Sequence, residues 1–119
     1  MEFQKGQVVM GKQFFKVKDK TSLEALMERS QANPVVIFKH STTCPISASA
    51  YREMEQVDSE VNLIEVQSAR SVSEELEKRL GIRHESPQVI VLRLGKVVWD
   101  ASHWKIKAGA VTDAVRENA

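Results

Sequence analysis

The run Val35-Val36-Ile37-Phe38 constrains this chain more than any other segment. Side chains on a strand alternate between its two faces, so four consecutive apolar residues do not fit a strand with one face in water. Such a run is typical of a strand buried on both faces, as in the middle of a parallel sheet covered by helices. Pro34 introduces the run. We therefore expect a central strand here.

The segments around that strand alternate between strand and helix patterns. Strand patterns are expected at Phe14–Val17, Val61–Val66, Val89–Leu92 and Lys96–Trp99. Helical spacing predicts helices that begin near Thr21, Cys44 and Ser71, and a last helix that begins between Lys105 and Gly109 and ends near Glu117. The expected order is βαβαβαββα.

Local signals predict how these elements begin and end. Thr21 with Glu24, and Ser71 with Glu74, have the spacing of a capping box at a helix start. Gly81 is placed to end the third helix.

The last two strands are separated only by Arg93, Leu94 and Gly95, which favours an antiparallel hairpin, whereas the earlier strands are joined by helices and so run parallel. A cysteine opens the second helix, and Pro87 precedes the fourth strand. This order is that of the thioredoxin fold, an α/β fold with a central mixed sheet flanked by helices.

Length and composition limit the classes of protein to consider. With 119 residues, 42% of them hydrophobic, the chain suits a single domain over residues 1–119. Seventeen basic against sixteen acidic residues give a net charge of +1, without the basic patch of a nucleic-acid binder. We expect no membrane segment, and no signal peptide in Met1–Met10. A single cysteine and no signal peptide point to the cytoplasm.

Cys44 is the only cysteine, and it lies between the central strand and the second helix. The amide groups and the positive dipole end of a helix N-terminus favour a thiolate, which is the nucleophilic form. We therefore interpret Cys44 as a reactive thiol rather than a buried, inert one. Pro45 fits a first helical turn. Ser47 stands where a dithiol enzyme has its second cysteine, so release of a mixed disulfide at Cys44 needs an external thiol.

Three motifs give the chain a family resemblance that covers nearly its whole length. They are Phe38-Lys39-His40-Ser41-Thr42-Thr43-Cys44-Pro45-Ile46-Ser47, His84-Glu85-Ser86-Pro87-Gln88 and Ala101-Ser102-His103-Trp104. With them the chain resembles the YtxJ-like family, the monothiol bacilliredoxins. The resemblance implies a cytoplasmic bacterial oxidoreductase, active in oxidative stress, that removes bacillithiol from protein mixed disulfides. Bacillithiol, a cysteinyl-glucosamine-malate thiol, would be its co-substrate and bacillithiolated proteins its partners, with no metal or organic cofactor.

The resemblance also implies roles for individual residues. Cys44 would be the catalytic residue, and Pro87 the cis-proline that faces it, while Ser86 would offer its backbone N–H and C=O to the cysteinyl part of the thiol. The expected substrate-binding residues are Thr43, Pro45, Ser47, His84, Ser86, Pro87, Ser102 and His103.

For the charged and polar residues near these motifs, a role at the site and a purely structural or surface role both stay open. His40 and His84 both could approach the sulfur, and a protonated histidine would favour the thiolate. Ser102 and His103 precede the last helix, whose free N–H groups could receive a carboxylate such as a malyl group, or could be simply capped. Candidate carboxylate partners, with a solvated surface role as the alternative, are Lys39, Arg52, Arg70 and Arg83.

Two other functions stay open. A non-catalytic stress or adaptor module would have Cys44 merely capped by bacillithiol. A metal or iron–sulfur carrier would need Cys44 from two subunits. A peroxidatic cysteine is disfavoured, because Ile37 and Ser41 stand where the peroxiredoxin pattern has proline and threonine.

Overall fold

The computed structural model describes residues 13–119. Its strands are β1 (Phe14–Lys16), β2 (Val35–His40), β3 (Val61–Glu65), β4 (Gln88–Arg93) and β5 (Lys96–Ser102). Its helices are α1 (Lys20–Arg29), α2 (Pro45–Met54), α3 (Arg70–Leu80) and α4 (Ala108–Glu117), and a 3₁₀ helix, His103–Lys105, lies between β5 and α4. The expected order βαβαβαββα is confirmed.

The strands form one mixed sheet in the order β1-β3-β2-β4-β5. β3 pairs in parallel with β1 and β2, while β4 is antiparallel to both β2 and β5. All six residues of β2 are buried, which confirms the central strand and extends it to His40. Because β2 lies in the middle, whatever follows it leaves the sheet at its centre.

Side chains on the two faces of the sheet pack into two separate hydrophobic cores. On β2, Val36 and Phe38 join the core beneath α2 and α4, whereas Val35 and Ile37 join the core beneath α1 and α3. Since neighbouring residues of a strand point to opposite faces, the two cores lie on opposite sides of the sheet. The fold is therefore three layers deep, with two helices on each face.

Both expected capping boxes are wrong. α1 begins at Lys20 with Asp19 as its N-cap, and Asp19 and Ser22 form the capping box, so Thr21 lies inside the helix. A carboxylate accepts the N–H of the third helical residue at least as well as a hydroxyl does. α3 begins at Arg70, which places Ser71 inside the first turn, and its N-cap Ala69 makes no side-chain bond.

The remaining boundaries differ by a few residues from the expected ones. β1 ends at Lys16 and β3 at Glu65, whereas β4 and β5 are longer than expected and leave only Leu94 and Gly95 as the turn. Both turn residues have positive φ, as a two-residue hairpin with the sheet's twist requires. Buried Ser30 stabilises the turn, because its carbonyl accepts the N–H of Leu94 and its Oγ accepts the N–H of Gly95.

No helix within residues 13–119 is long and apolar enough to cross a membrane. The expectation about a signal peptide in Met1–Met10 falls outside the described residues.

Gly81 ends α3 in the left-handed conformation, with φ of 62°, as expected from the sequence. Nothing lies within 4 Å of a Cβ built on it, so alanine meets no steric obstacle there. We predict that Gly81→Ala lowers the free energy of unfolding by about 1–2 kcal/mol, through backbone conformation alone. Urea unfolding followed by circular dichroism measures this.

Gly109→Ala is the matched control, because Gly109 lies within α4 and also has open space around it. There alanine favours the helix, and we expect stability to rise by up to about 1 kcal/mol. A loss at position 81 no different from the effect at position 109 contradicts the prediction.

Candidate functional site around Cys44

Cys44 is the N-cap residue of α2 and is half-buried. Its carbonyl accepts the N–H of Ala48 at 3.0 Å, and its own N–H donates to the carbonyl of Ser41 at 3.4 Å across a tight turn. Pro45 occupies the first helical position, where a missing N–H is tolerated. No side chain caps this helix end, so the free amides of the first turn face the end of the helix that carries the thiol.

Ser47 is fully buried and holds the turn before Cys44 in place. Its Oγ accepts the N–H of Ser41 at 2.9 Å and shares a 2.8 Å hydrogen bond with Nδ1 of His40. The imidazole of His40 also packs against the ring of Tyr51 on α2, with centroids 5.0 Å apart. Burial lowers the pKa of His40 below its ordinary value, while Glu65 opposes that shift.

Gln67 ties the same turn to the loop after β3, and sequence reasoning missed it. Its Nε2 donates to Ser41 Oγ at 2.8 Å and to Thr43 Oγ1 at 3.1 Å, and its Oε1 accepts the N–H of Thr42 at 3.2 Å. One amide thus orients three consecutive residues before Cys44. The only sequence signal was the position of Gln67 just after a strand parallel to β2, because such strand ends meet at one edge of the sheet.

The Ser86–Pro87 peptide bond is cis, as expected from the sequence. Pro87 is buried, and its carbonyl accepts the N–H of His103 at 3.1 Å. Among the described residues, Ser86 Oγ is the one buried side-chain polar atom without a hydrogen-bond partner. The backbone N–H and C=O of Ser86 are likewise unpaired within residues 13–119.

Three side chains fix the loop that carries Ser86 and Pro87. The amide of Gln88 accepts the N–H of Glu85 at 3.3 Å and donates to the carbonyl of Arg83 at 3.1 Å. The carboxylate of Glu77 on α3 accepts the N–H of His84 at 3.1 Å. The third anchor is a buried lysine.

Lys39 has no exposed surface, so the alternative of a solvated surface role is wrong for it. Its Nζ lies 3.0 Å from Nδ1 of His84. An ammonium can only donate, so Nδ1 accepts and the imidazole is neutral when Lys39 is charged. Burial lowers the pKa of Lys39, with Glu77 opposing that shift, and both burial and the nearby Lys39 lower the pKa of His84.

Nδ1 of His40 shares a hydrogen bond with Ser47, and Nδ1 of His84 accepts one from Lys39. The two histidines lie on opposite sides of β2, one beneath α2 and one beside α3. Direct participation of either ring in the chemistry of Cys44 stays a prediction.

Ser102 and His103 precede the last helix, as expected, but not directly, and binding of a carboxylate there stays a prediction. A 3₁₀ helix intervenes, α4 begins at Ala108, and the N–H of Ala108 already binds the carboxylate of Glu53 at 2.8 Å. Glu53 is nine residues after Cys44, or about 13 Å along the axis of α2. His103 instead contacts the proline loop, through its N–H to Pro87 and its Nε2 at 3.8 Å from Glu85.

The structure thus brings Thr43, Cys44, Pro45 and Ser47 together in one turn, and joins His84, Ser86, Pro87 and His103 in a second segment. Of the candidate carboxylate partners, Arg52, Arg70 and Arg83 are all exposed, and Arg70 also lines a cavity beside the turn. A thiol at the N-terminus of α2, together with the unpaired backbone groups of Ser86, is suited to thiol–disulfide exchange.

Two histidines, the buried His40 and the exposed His84, make stability depend on pH. The folded-state pKa values of His40 and His84 lie below their ordinary value of 6.5, so the unfolded chain binds more protons just below that pH. We predict that the free energy of unfolding falls as pH is lowered from 7 to 5, and that His40→Phe makes this fall smaller. Urea unfolding at several pH values tests this, and an unchanged slope in the variant contradicts it.

Replacing Ser47 removes the hydroxyl that pairs Ser41 with His40. We predict that Ser47→Ala lowers the free energy of unfolding by about 1–3 kcal/mol, because a buried N–H and a buried imidazole nitrogen lose their partner. Ser49→Ala, two residues further along α2 at a half-buried serine, is the control and should change stability by less than about 0.5 kcal/mol. Equal effects in urea unfolding contradict the assignment.

Comparison with solved structures supports the same fold. A structure assigned as an oxidoreductase with a thioredoxin fold is 30% identical, with a TM-score of 0.78 over 85% of this chain and 92% of that one. A mutant thioredoxin from Halobacterium salinarum is 17% identical, with a TM-score of 0.67 over 88% of this chain and 89% of that one. The thioredoxin of Fasciola hepatica is 12% identical, with a TM-score of 0.69 over 88% and 99%. The fold is therefore thioredoxin-like.

The family comparison is more specific. The model of the monothiol bacilliredoxin family BrxC matches residues 15–111, well over half of the chain, and this range includes Cys44 and Pro87. Together with the fold, the match supports a thiol oxidoreductase role. The chain belongs to the monothiol bacilliredoxin family.

Proposed function

We propose that this protein is a bacilliredoxin, a monothiol thiol–disulfide oxidoreductase that removes bacillithiol from protein mixed disulfides. The observation that carries the proposal is the placement of the only cysteine at the N-terminus of α2, with a buried serine instead of a thiol at the first-turn position. Such a site can form one mixed disulfide but cannot release it internally.

In the first step, the thiolate of Cys44 attacks the bacillithiol sulfur of a modified protein. A disulfide forms between Cys44 and bacillithiol, the bond between bacillithiol and the protein breaks, and the protein thiolate leaves. A second bacillithiol thiolate then attacks the bacillithiol sulfur of this intermediate. Cys44 leaves as a thiolate and oxidised bacillithiol is the product, so one disulfide replaces another and one free bacillithiol thiol is consumed for each protein thiol released.

The free backbone groups of Ser86 support this assignment. An extended cysteinyl moiety can pair with one N–H and one C=O in the manner of an added strand, and both are unpaired in Ser86 among the described residues. Within the proposal, Thr43, Pro45, His84, Pro87 and His103 shape the surface around the thiol, and Ser47 positions the turn.

The proposal extends to the setting of the protein. We take residues 1–119 to be a single thioredoxin-like domain that acts in the cytoplasm during oxidative stress, with bacillithiol and bacillithiolated proteins as its partners. A lone cysteine that cycles between thiolate and mixed disulfide needs a pool of reduced thiol, which a reducing compartment supplies. The exchange steps require no metal and no organic cofactor.

Turnover distinguishes this enzyme from an adaptor module whose cysteine is only capped. We predict that wild-type protein releases many equivalents of protein thiol from a bacillithiolated substrate when free bacillithiol and a reductase for its disulfide are present. Cys44→Ala should release none, because no other thiol can form the intermediate. Ser47→Ala should retain most of the activity at a temperature where it is folded.

The measurement is the number of protein thiols released per enzyme. Release of a single equivalent by the wild type favours the capped module, and continued release by Cys44→Ala removes Cys44 from the mechanism.

A further inference from the structure

A cavity of about 430 Å³ lies between the turn that carries Cys44 and helix α3. Its size is within the usual range of small-molecule sites. Of its eight lining residues only Val66 is apolar. The polar and charged ones are Ser41, Gln67, Arg70, Ser73, Glu74, Glu77 and His84.

The cavity shares a wall with the reactive turn. Ser41 lines it, and the carbonyl of Ser41 accepts the N–H of Cys44. Gln67 lines it too, and its amide bonds the side chain of Thr43, the residue next to Cys44. The turn that carries Cys44 thus forms one wall of the cavity.

Arg70 is the one arginine or lysine that lines the cavity, and the carboxylates of Glu74 and Glu77 line it too, so a ligand carboxylate has Arg70 as its partner while ligand hydroxyl groups have several. Arg70 makes no ion pair with any residue in 13–119, so its guanidinium is free to bind a carboxylate in a bidentate manner. The buried ammonium of Lys39 hydrogen-bonds His84. Ser73 and Glu74 supply a hydroxyl and an acceptor for ligand hydroxyl groups.

On the side of α4, the first amide of that helix is bound to Glu53. On the side of α3, the guanidinium of Arg70 has no ion-pair partner among residues 13–119.

We propose that this cavity binds the hydroxylated, carboxylate-bearing part of the low-molecular-weight thiol, with Arg70 as the specificity-determining residue. This inference rests on the proposed function, because it names the place that recognises the thiol of that reaction.

The test compares two modified forms of one substrate protein. One form carries bacillithiol on its cysteine, and the other carries β-mercaptoethanol, which reaches the Cys44 sulfur but has nothing to place in the cavity. We expect Arg70→Gln to lower kcat/KM about tenfold for the first form, mainly through KM, and less than twofold for the second. Arg83→Gln is the matched control, since the side chain of Arg83 is 90% exposed and does not line the cavity. It should leave both values unchanged.

An equal effect of Arg70→Gln on both forms, or no effect on either, overturns the inference but leaves the proposed function standing if the wild type turns over. Loss of turnover by the wild type on both forms overturns the proposed function.

A second measurement tests the cavity without turnover. Mixing reduced protein with oxidised bacillithiol forms the Cys44–bacillithiol disulfide and releases one bacillithiol thiolate. In this adduct, the NMR resonances of the Arg70 Nε–H and the Gln67 side-chain amide should shift relative to the β-mercaptoethanol adduct. Coincident resonances in the two adducts overturn the inference.

Discussion

Two ionisable side chains buried at the end of β2 determine how the reactive turn is built. Lys39 and His40 follow one another on the central strand, so they point to opposite faces of the sheet. A buried cation or imidazole is tolerated only when it is partnered or neutral. Lys39 hydrogen-bonds His84 beside α3, and His40 hydrogen-bonds Ser47 at the start of α2. These two bonds join the central strand to both segments that surround Cys44.

As a consequence, hydrogen bonds from several elements fix both the turn of Cys44 and the loop of Ser86 and Pro87. Ser47 and Gln67 fix the backbone before Cys44, while Gln88 and Glu77 fix the loop of Ser86 and Pro87. Positioning of this kind favours exchange chemistry, because the attacking sulfur and the groups that receive the thiol partner need no large rearrangement to meet. It also explains the serine at the first-turn position, since a hydroxyl there can accept the Ser41 N–H and bond His40 at once, whereas a thiol is a weaker partner for both.

Much of this could be predicted from the sequence where the cause is local. The unbroken apolar run fixed β2 as the central strand, and Gly81 ended α3 because only glycine adopts that conformation without strain. The position of Cys44 between strand and helix was enough to predict that it begins α2, where it is the N-cap residue.

What could not be predicted depends on residues distant in the chain. The burial of Lys39 contradicts the usual exposure of lysine, and its partner His84 is 45 positions away. Gln67 is one of several polar residues in the loop after β3, and the sequence around it does not set it apart. Its role follows only from the fold, which brings the ends of β2 and β3 together. The bond between Glu53 on α2 and the first amide of α4 is hidden from the sequence for a similar reason, because Glu53 and Ala108 are 55 positions apart.

The position of the cavity also bears on which sulfur Cys44 attacks. In disulfide exchange the attacking, central and leaving sulfur atoms lie nearly in a line, so the carbon on the central sulfur projects to the side of that line. The proposed cavity lies beside the turn of Cys44, where Ser41 and Gln67 form its wall. Within the proposal, the group that it holds is the one attached to the central sulfur, because the leaving sulfur departs on the side opposite Cys44. A low-molecular-weight thiol bound there presents its own sulfur for attack, and the protein thiolate is the leaving group.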